Sequence, residues 1–281
     1  MRFLVLPALL VTALMMLGPV VLMARVSMNR FDPFLLMESA FTWENYVSAL
    51  TDSYYQQIMG LTVSISLISA IMTLVIAYPV AYWLAHLPGR WKGIVIIATI
   101  LPLLVGNIVR ISGWIAILGT EGVLNYAFQA LGLTDRALQL HYNSGAVIVG
   151  SVSVLLPYMI IILSSVMENI PREVEEAARN LGAPWHQVFA RIILPMSVPG
   201  ALTGSVLVFV LCMNAYATPV LLGGPSFTMM APAIYQQFMR ANNWPLGAAL
   251  AFLLLTTTIL LVIAVNLLVR YRYREIGAMG G

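Results

Sequence analysis

Charge is what this sequence has least of. Only 9% of its 281 residues are charged, against about 25% in an ordinary soluble domain. The shortage excludes a self-standing water-soluble domain, and a net charge of only +3 is a poor basis for binding nucleic acid. Cys212 is the single cysteine, so an intrachain disulfide and a cysteine-based metal cluster are both excluded. Lys92 is the single lysine; it lies in PGRWKG, and no G-x-x-x-x-G-K-[ST] phosphate cradle occurs, so the chain does not bind ATP by that route. G-x-S-x-G and H-E-x-x-H are also missing, and His86, His141 and His186 fall on three separate segments. Neither a catalytic nor a metal site is expected.

What is present is apolar. Hydrophobic residues make up 60% and the mean hydropathy is +0.91. A bilayer needs about 20 apolar residues per crossing, and six stretches qualify, at about 3–24, 58–84, 93–118, 145–167, 196–222 and 246–269. The expectation is an all-α membrane protein, residues 1–281 forming one transmembrane domain. The first stretch follows Arg2 but is longer than a signal core, and no A-x-A site follows it, so it reads as a retained span. Basic residues set the orientation. Arg2, Arg90, Lys92, Arg172, Arg179, Arg191, Arg270, Arg272 and Arg274 fall on one side; Arg25, Arg30, Arg136 and Arg240 fall on the other. The richer side should be cytoplasmic, with both termini there. Asp32, Glu38, Glu44, Asp52, Glu121 and Asp135 then face outward.

Pro79, Pro102, Pro157, Pro199 and Pro219 interrupt the spans, and each tends to kink a helix. Gly200 and Gly204 form G-x-x-x-G, a spacing that lets helices approach closely. Polar side chains inside spans are costly and often functional. Arg110 is the only charged one well inside a span, and Asn107, Asn214, Tyr216 and Thr218 accompany it as candidates for the wall of a solute pathway. Hydrogen bonding between helices, or pairing of Arg110 with a carboxylate of another chain, is the competing reading. No Asp or Glu lies inside an expected span.

The longest inner loop, about 168–195, is polar but patterned. Pro171 suits a helix start, Glu173, Glu175 and Glu176 suit its positive end and Arg179 its negative end, and Gly182 suits a C-terminal stop. Pro184 should open a second short helix that Pro195 ends. Val174, Ala177, Ala178 and Leu181 share a narrow apolar face. A helix lying on lipid would carry Lys and Arg on its polar face. Glu prevails here, so the face is expected to enter a groove on another protein.

At this point the residues resemble a known pattern. Glu176-Ala177-Ala178, three residues, Gly182, nine residues, then Ile192-Ile193-Leu194-Pro195 is similar to the EAA motif of permease subunits of bacterial ABC importers. Leu124-Asn125, Leu131-Gly132, Leu221 to Pro225, Asn243 to Ala249, and Asn107 with Arg110 resemble the spermidine/putrescine branch. The resemblance implies a type I importer fold with six transmembrane helices and a cytoplasmic coupling helix, in the bacterial inner membrane. Glu175, Glu176, Ala177, Ala178, Leu181, Gly182, Ala183 and Pro184 would form the ATPase-coupling segment. The implied partners are a second permease subunit, two ATPase subunits carrying ATP and Mg, an extracytoplasmic substrate-binding protein and membrane lipid. No cofactor is expected in this chain. A polyamine is the implied solute, although the missing intramembrane carboxylates leave an amino-acid derivative or opine-like compound open. An ion-coupled secondary transporter and a non-transporting scaffold are rivals without a motif of their own.

Overall fold

The structure, a computed structural model, describes the backbone of residues 2–278 and the side chains of residues 10–267. Arg2, Arg270, Arg272 and Arg274, and Val269 at the end of the last expected span, lie outside the described side chains. The chain begins with α1 (Arg2–Ser27), α2 (Glu44–Thr51) and α3 (Ser53–His86), then α4 (Gly89–Leu104), α5 (Asn107–Leu118) and α6 (Val123–Ala130). α7 (Ser144–Glu168), α8 (Arg172–Asn180) and α9 (Trp185–Val188) follow. A π-helical turn, Phe189–Ile193, leads into α10 (Leu194–Met213), and then come α11 (Ala217–Leu222), α12 (Met230–Met239) and α13 (Trp244–Ala278). Among the described residues the only β-type pairing is an isolated bridge between Arg30 and Glu38.

Among the described residues, five stretches are long and apolar enough to cross a membrane: Leu10–Ser27, Ser53–His86, Ser144–Glu168, Trp185–Met213 and Trp244–Leu267. A pair bent by 91°, Gly89–Leu104 with Asn107–Ala130, gives a sixth when counted as one span. That bend corrects the expectation of one continuous span over 93–118. Pro102 lacks the donor that would continue the ladder, and Val105 and Gly106 take extended backbone with ψ of 129° and 139°. The expected fifth span, 196–222, is also not continuous. α10 stops at Met213, Asn214 caps it, and α11 restarts at Ala217. The third correction concerns Pro195. It ends nothing, because it sits in the first turn of α10, where a missing N–H costs little. Leu194 N–H reaches back five residues to the Phe189 carbonyl, and this π turn carries the helix across the junction.

The chain separates into two compact units, Met1–Leu61 with Met229–Gly281, and Thr62–Thr228. In the first, α1 and α2 pack on α13, as does α12. Buried Asn45 donates to the carbonyls of Ser27 and Asn29, both at 2.8 Å, which satisfies backbone groups that the end of α1 leaves open. Ala248, Ala249 and Leu250 are fully buried, and Phe238 packs edge-on against Trp244.

In the second unit α7 lies along α10. Their seam is built on absent side chains: a Cβ on Gly200 would stand 2.8 Å from Val166, and one on Gly204 2.5 Å from Met159. Lipid tails are as apolar as leucine, so this close contact rather than burial from water holds such helices together. The opposite sign of the same physics shows on α1, where Leu14, Met15 and Met16 are all at least 70% exposed. In water that surface would be an aggregation hazard; in a bilayer it is the solvated face.

Candidate functional site

α8 is positioned by its own chemistry. Pro171 precedes it, Glu173 and Glu175 lie in its first turn and Arg179 in its last, each charge facing the helix end that favours it. Gly182 has φ of +84°, a conformation that costs a glycine nothing. Its N–H donates to Arg179 O at 2.9 Å, and Ala183 N–H donates to Ala178 O at 3.1 Å. This pair of bonds is the Schellman termination, and it turns the chain into α9.

The face expected to meet a partner is free in the isolated chain. Leu181 is 89% exposed and Val174 38%. Glu176, Ala177, Gly182 and Pro184 are exposed too, and Ala178 and Ala183 are half-buried. Glu175 departs from that pattern. It is buried, and its carboxylate accepts from Tyr82 Oη at 3.0 Å and lies 3.2 Å from His86 Nε2. The two glutamates that begin the motif therefore point opposite ways, Glu175 onto α3 and Glu176 outward. His86 is the last residue of α3.

Aromatic rings extend the clasp. Trp185 lies 5.0 Å from the Tyr82 ring and 5.8 Å from Phe189, and the Arg179 guanidinium sits 5.5 Å from the Trp185 centroid. Phe189 meets Tyr78 edge-on, and Tyr78 hydrogen-bonds to Ser197. A cavity of about 740 Å³ runs along this wall between α3 and the start of α10. α8 is thereby tied to α3 by polar bonds and, through Arg179, Trp185 and Phe189, to the π turn that leads into α10. Sequence reading missed Tyr82 and His86; their i, i+4 spacing at the end of an apolar helix was the available signal.

A second constellation lies deeper. Asn107, Arg110, Asn214, Tyr216 and Thr218, five separate candidates in the sequence, line one cavity of about 400 Å³. The breaks in the helices bring them together. Asn107 and Arg110 open α5 just after the bend, while Asn214 and Tyr216 lie between α10 and α11. Ser151, Leu155 and Tyr158 supply the α7 wall. Thr218 is buried and Tyr216 41% exposed. No carboxylate lines this cavity, so it offers hydroxyl, amide and guanidinium groups and aromatic faces. The Leu221–Pro225 stretch, which follows Thr218, is fixed against Tyr142. Gly224 has φ of +80°, and a Cβ there would stand 2.8 Å from the Tyr142 ring, whose residue donates its N–H to Leu222 O at 2.9 Å.

In the loop between α1 and α2, Asp32 Oδ1 accepts from the N–H groups of Phe34 and Leu35 at 2.7 and 2.8 Å, which holds its carboxyl below the ordinary range. Glu44 pairs with Arg30 at 3.2 Å on an exposed surface. Asp52 accepts from Tyr54 N–H at the start of α3.

Comparison with known proteins meets this geometry. Residues 59–274 match the family model of the binding-protein-dependent transport system inner membrane component. The chain is 33% identical over 241 residues to the spermidine/putrescine transport system permease protein PotB of Escherichia coli (strain K12), covering 86% of each chain. It is also 33% identical over 221 residues to the protein of that name from Haemophilus influenzae, covering 79% of this chain and 77% of the other. A solved bacterial ABC transporter involved in import of the acidic polysaccharide alginate superposes with a TM-score of 0.78 at 16% identity, over 96% of this chain and 94% of that one. The last likeness carries the fold, that of ABC importer permeases, and the first two carry the family. An all-helical chain with five apolar helices and a bent pair, an exposed EAA helix and relatives at this level is a multi-pass membrane permease: the chain belongs to the inner membrane components of binding-protein-dependent transport systems.

Proposed function

We propose that the chain, acting as a single permease domain, imports a polyamine of the spermidine/putrescine class at the expense of ATP hydrolysed by separate subunits. The observation that carries the reading is the identity to two permeases named for spermidine and putrescine, spread over more than three quarters of the chain. Two ATPase subunits, with ATP and Mg, receive α8 on the cytoplasmic face. A second permease subunit completes the pathway, and an extracytoplasmic binding protein delivers the solute. Both termini lie in the cytoplasm, the orientation that the distribution of Lys and Arg supports.

Roles follow from placement. Glu176, Ala177, Leu181 and Gly182 form the surface that enters an ATPase groove, as an exposed amphipathic helix does; Glu175 holds that helix to α3. Asn107, Asn214, Tyr216 and Thr218 form one wall of the solute pathway, where aromatic faces such as Tyr216 attract an ammonium group. The test is reconstitution of the complex with its ATPase and binding protein in proteoliposomes. ATP-dependent uptake of labelled spermidine or putrescine is expected. Uptake driven by an ion gradient without ATP sinks the importer reading; uptake confined to amino-acid derivatives sinks the polyamine assignment.

A further inference from the structure

We propose that Arg110 receives a carboxylate carried at membrane depth by the second permease subunit; the proposal rests on the polyamine reading above. Nε and Nη1 of Arg110 are buried and have no hydrogen-bond partner. A guanidinium cannot shed its charge to relieve that. The cavity wall supplied by Ser151, Leu155 and Tyr158 lies in the middle turns of the 25-residue α7, well away from either end. A cation at such depth is costly, and an unpaired buried donor adds to that cost.

Among the described residues no carboxylate is placed to offset that charge. The cavity is lined by amide, hydroxyl and apolar groups. Within the apolar stretches the acidic residues are Glu168, which ends α7 and holds Lys92 Nζ at 2.7 Å, and Glu121, exposed in the turn beyond α5. The solute offers none either, since a polyamine is cationic and would be repelled by a bare guanidinium. The acceptor is therefore resident and belongs to a neighbour. Asn107, Leu211, Asn214 and Tyr216 line the cavity and are exposed at its mouth, which gives that neighbour access. Among the described residues, a second copy of this chain brings no carboxylate at that depth, since its buried Glu175 sits in α8 between two spans. Arg–carboxylate pairs are geometrically specific, so the contact also selects the partner.

The experiment uses the complex purified with the permease chain that accompanies it, assembly being read by co-purification and function by ATP-driven uptake. Arg110→Glu should lower recovery of the second permease at least tenfold, Arg110→Lys should retain most of it, and one intramembrane Asp→Arg or Glu→Arg in that permease should restore assembly with Arg110→Glu. If Arg110→Glu does not accumulate, Arg110→Cys is combined with cysteines at each acidic intramembrane position of the second permease, and one disulfide is expected. Normal assembly and uptake with Arg110→Glu, no disulfide at any position, an active transporter from this chain alone, or rescue by Glu121→Arg would each overturn the proposal. Assembly is read without solute. A complex that depends on Arg110 but imports no polyamine therefore sinks the polyamine reading alone.

Discussion

Two residues six apart in the motif region, Glu176 and Gly182, were singled out by pattern, yet the structure assigns their neighbourhood two separate jobs. Gly182 makes the turn. A Cβ there meets nothing within 4 Å, so the whole cost of replacing it is backbone strain, about 1–2 kcal/mol for an L-residue in the left-handed region. Gly182→Val should therefore lower substrate-stimulated ATP hydrolysis, while Gly182→Asn, which tolerates that conformation, should recover most of it. Equal hydrolysis in all three proteins would remove the turn from the account. Glu175 makes the anchor. Glu175→Ala leaves the Tyr82 hydroxyl and His86 ring without their acceptor, a loss of about 1–3 kcal/mol, or roughly 5- to 150-fold in the docked population of α8. Transport per ATP hydrolysed should fall while ATPase association persists. Glu176→Ala should do the reverse and weaken association. A double-mutant cycle of Glu175→Ala with His86→Ala should show coupling; additivity would separate the two residues.

Helices were legible where the chain repeats itself and illegible where it breaks. Apolar length alone located α1, α3, α7 and α13, because spanning a bilayer demands it. Breaks depend on local bonding that hydropathy averages away. Asn214 and Pro102 each lie in an apolar run, and only the backbone around them tells a kink from a stop. Pro195 misled for the same reason, since its effect depends on whether the turn before it is free to widen. Gly200 and Gly204 were read as packing residues, but their ranking needs coordinates. The Val166 Cβ that a Cβ on Gly200 would strike is rigid and branched, whereas the Met159 sulfur opposite Gly204 lies on a flexible chain. Gly200→Ala should thus cost about 1–3 kcal/mol and Gly204→Ala clearly less, read as thermal midpoints in detergent. The reverse order would mean that α7 and α10 separate more easily than their seam suggests.

For the molecule as a whole, the decisive quantity is which side of the membrane each loop occupies. Composition decides that the chain is in a membrane, and the basic residues decide its polarity, but the partners that make use of it are absent from the sequence. This is why the candidate pathway was readable as five polar residues and not as one cavity, and why the counter-charge of Arg110 was not readable at all. Topology is open to direct test because Cys212 is buried and little able to react. A cysteine replacing Leu181, 89% exposed beyond α8, and another replacing Leu35, 73% exposed in the α1–α2 loop, place single reporters on the two expected faces. In intact cells a membrane-impermeant maleimide should label Leu35→Cys and spare Leu181→Cys, and in inverted vesicles the pattern should exchange. ATPase subunits bound to the complex should then protect Leu181→Cys by about tenfold or more, since an apolar side chain seated in a groove is closed to reagent. Labelling of Leu181→Cys from outside would reverse the orientation, put α8 out of reach of any cytoplasmic ATPase and dissolve the importer reading, whatever the identity to permeases elsewhere.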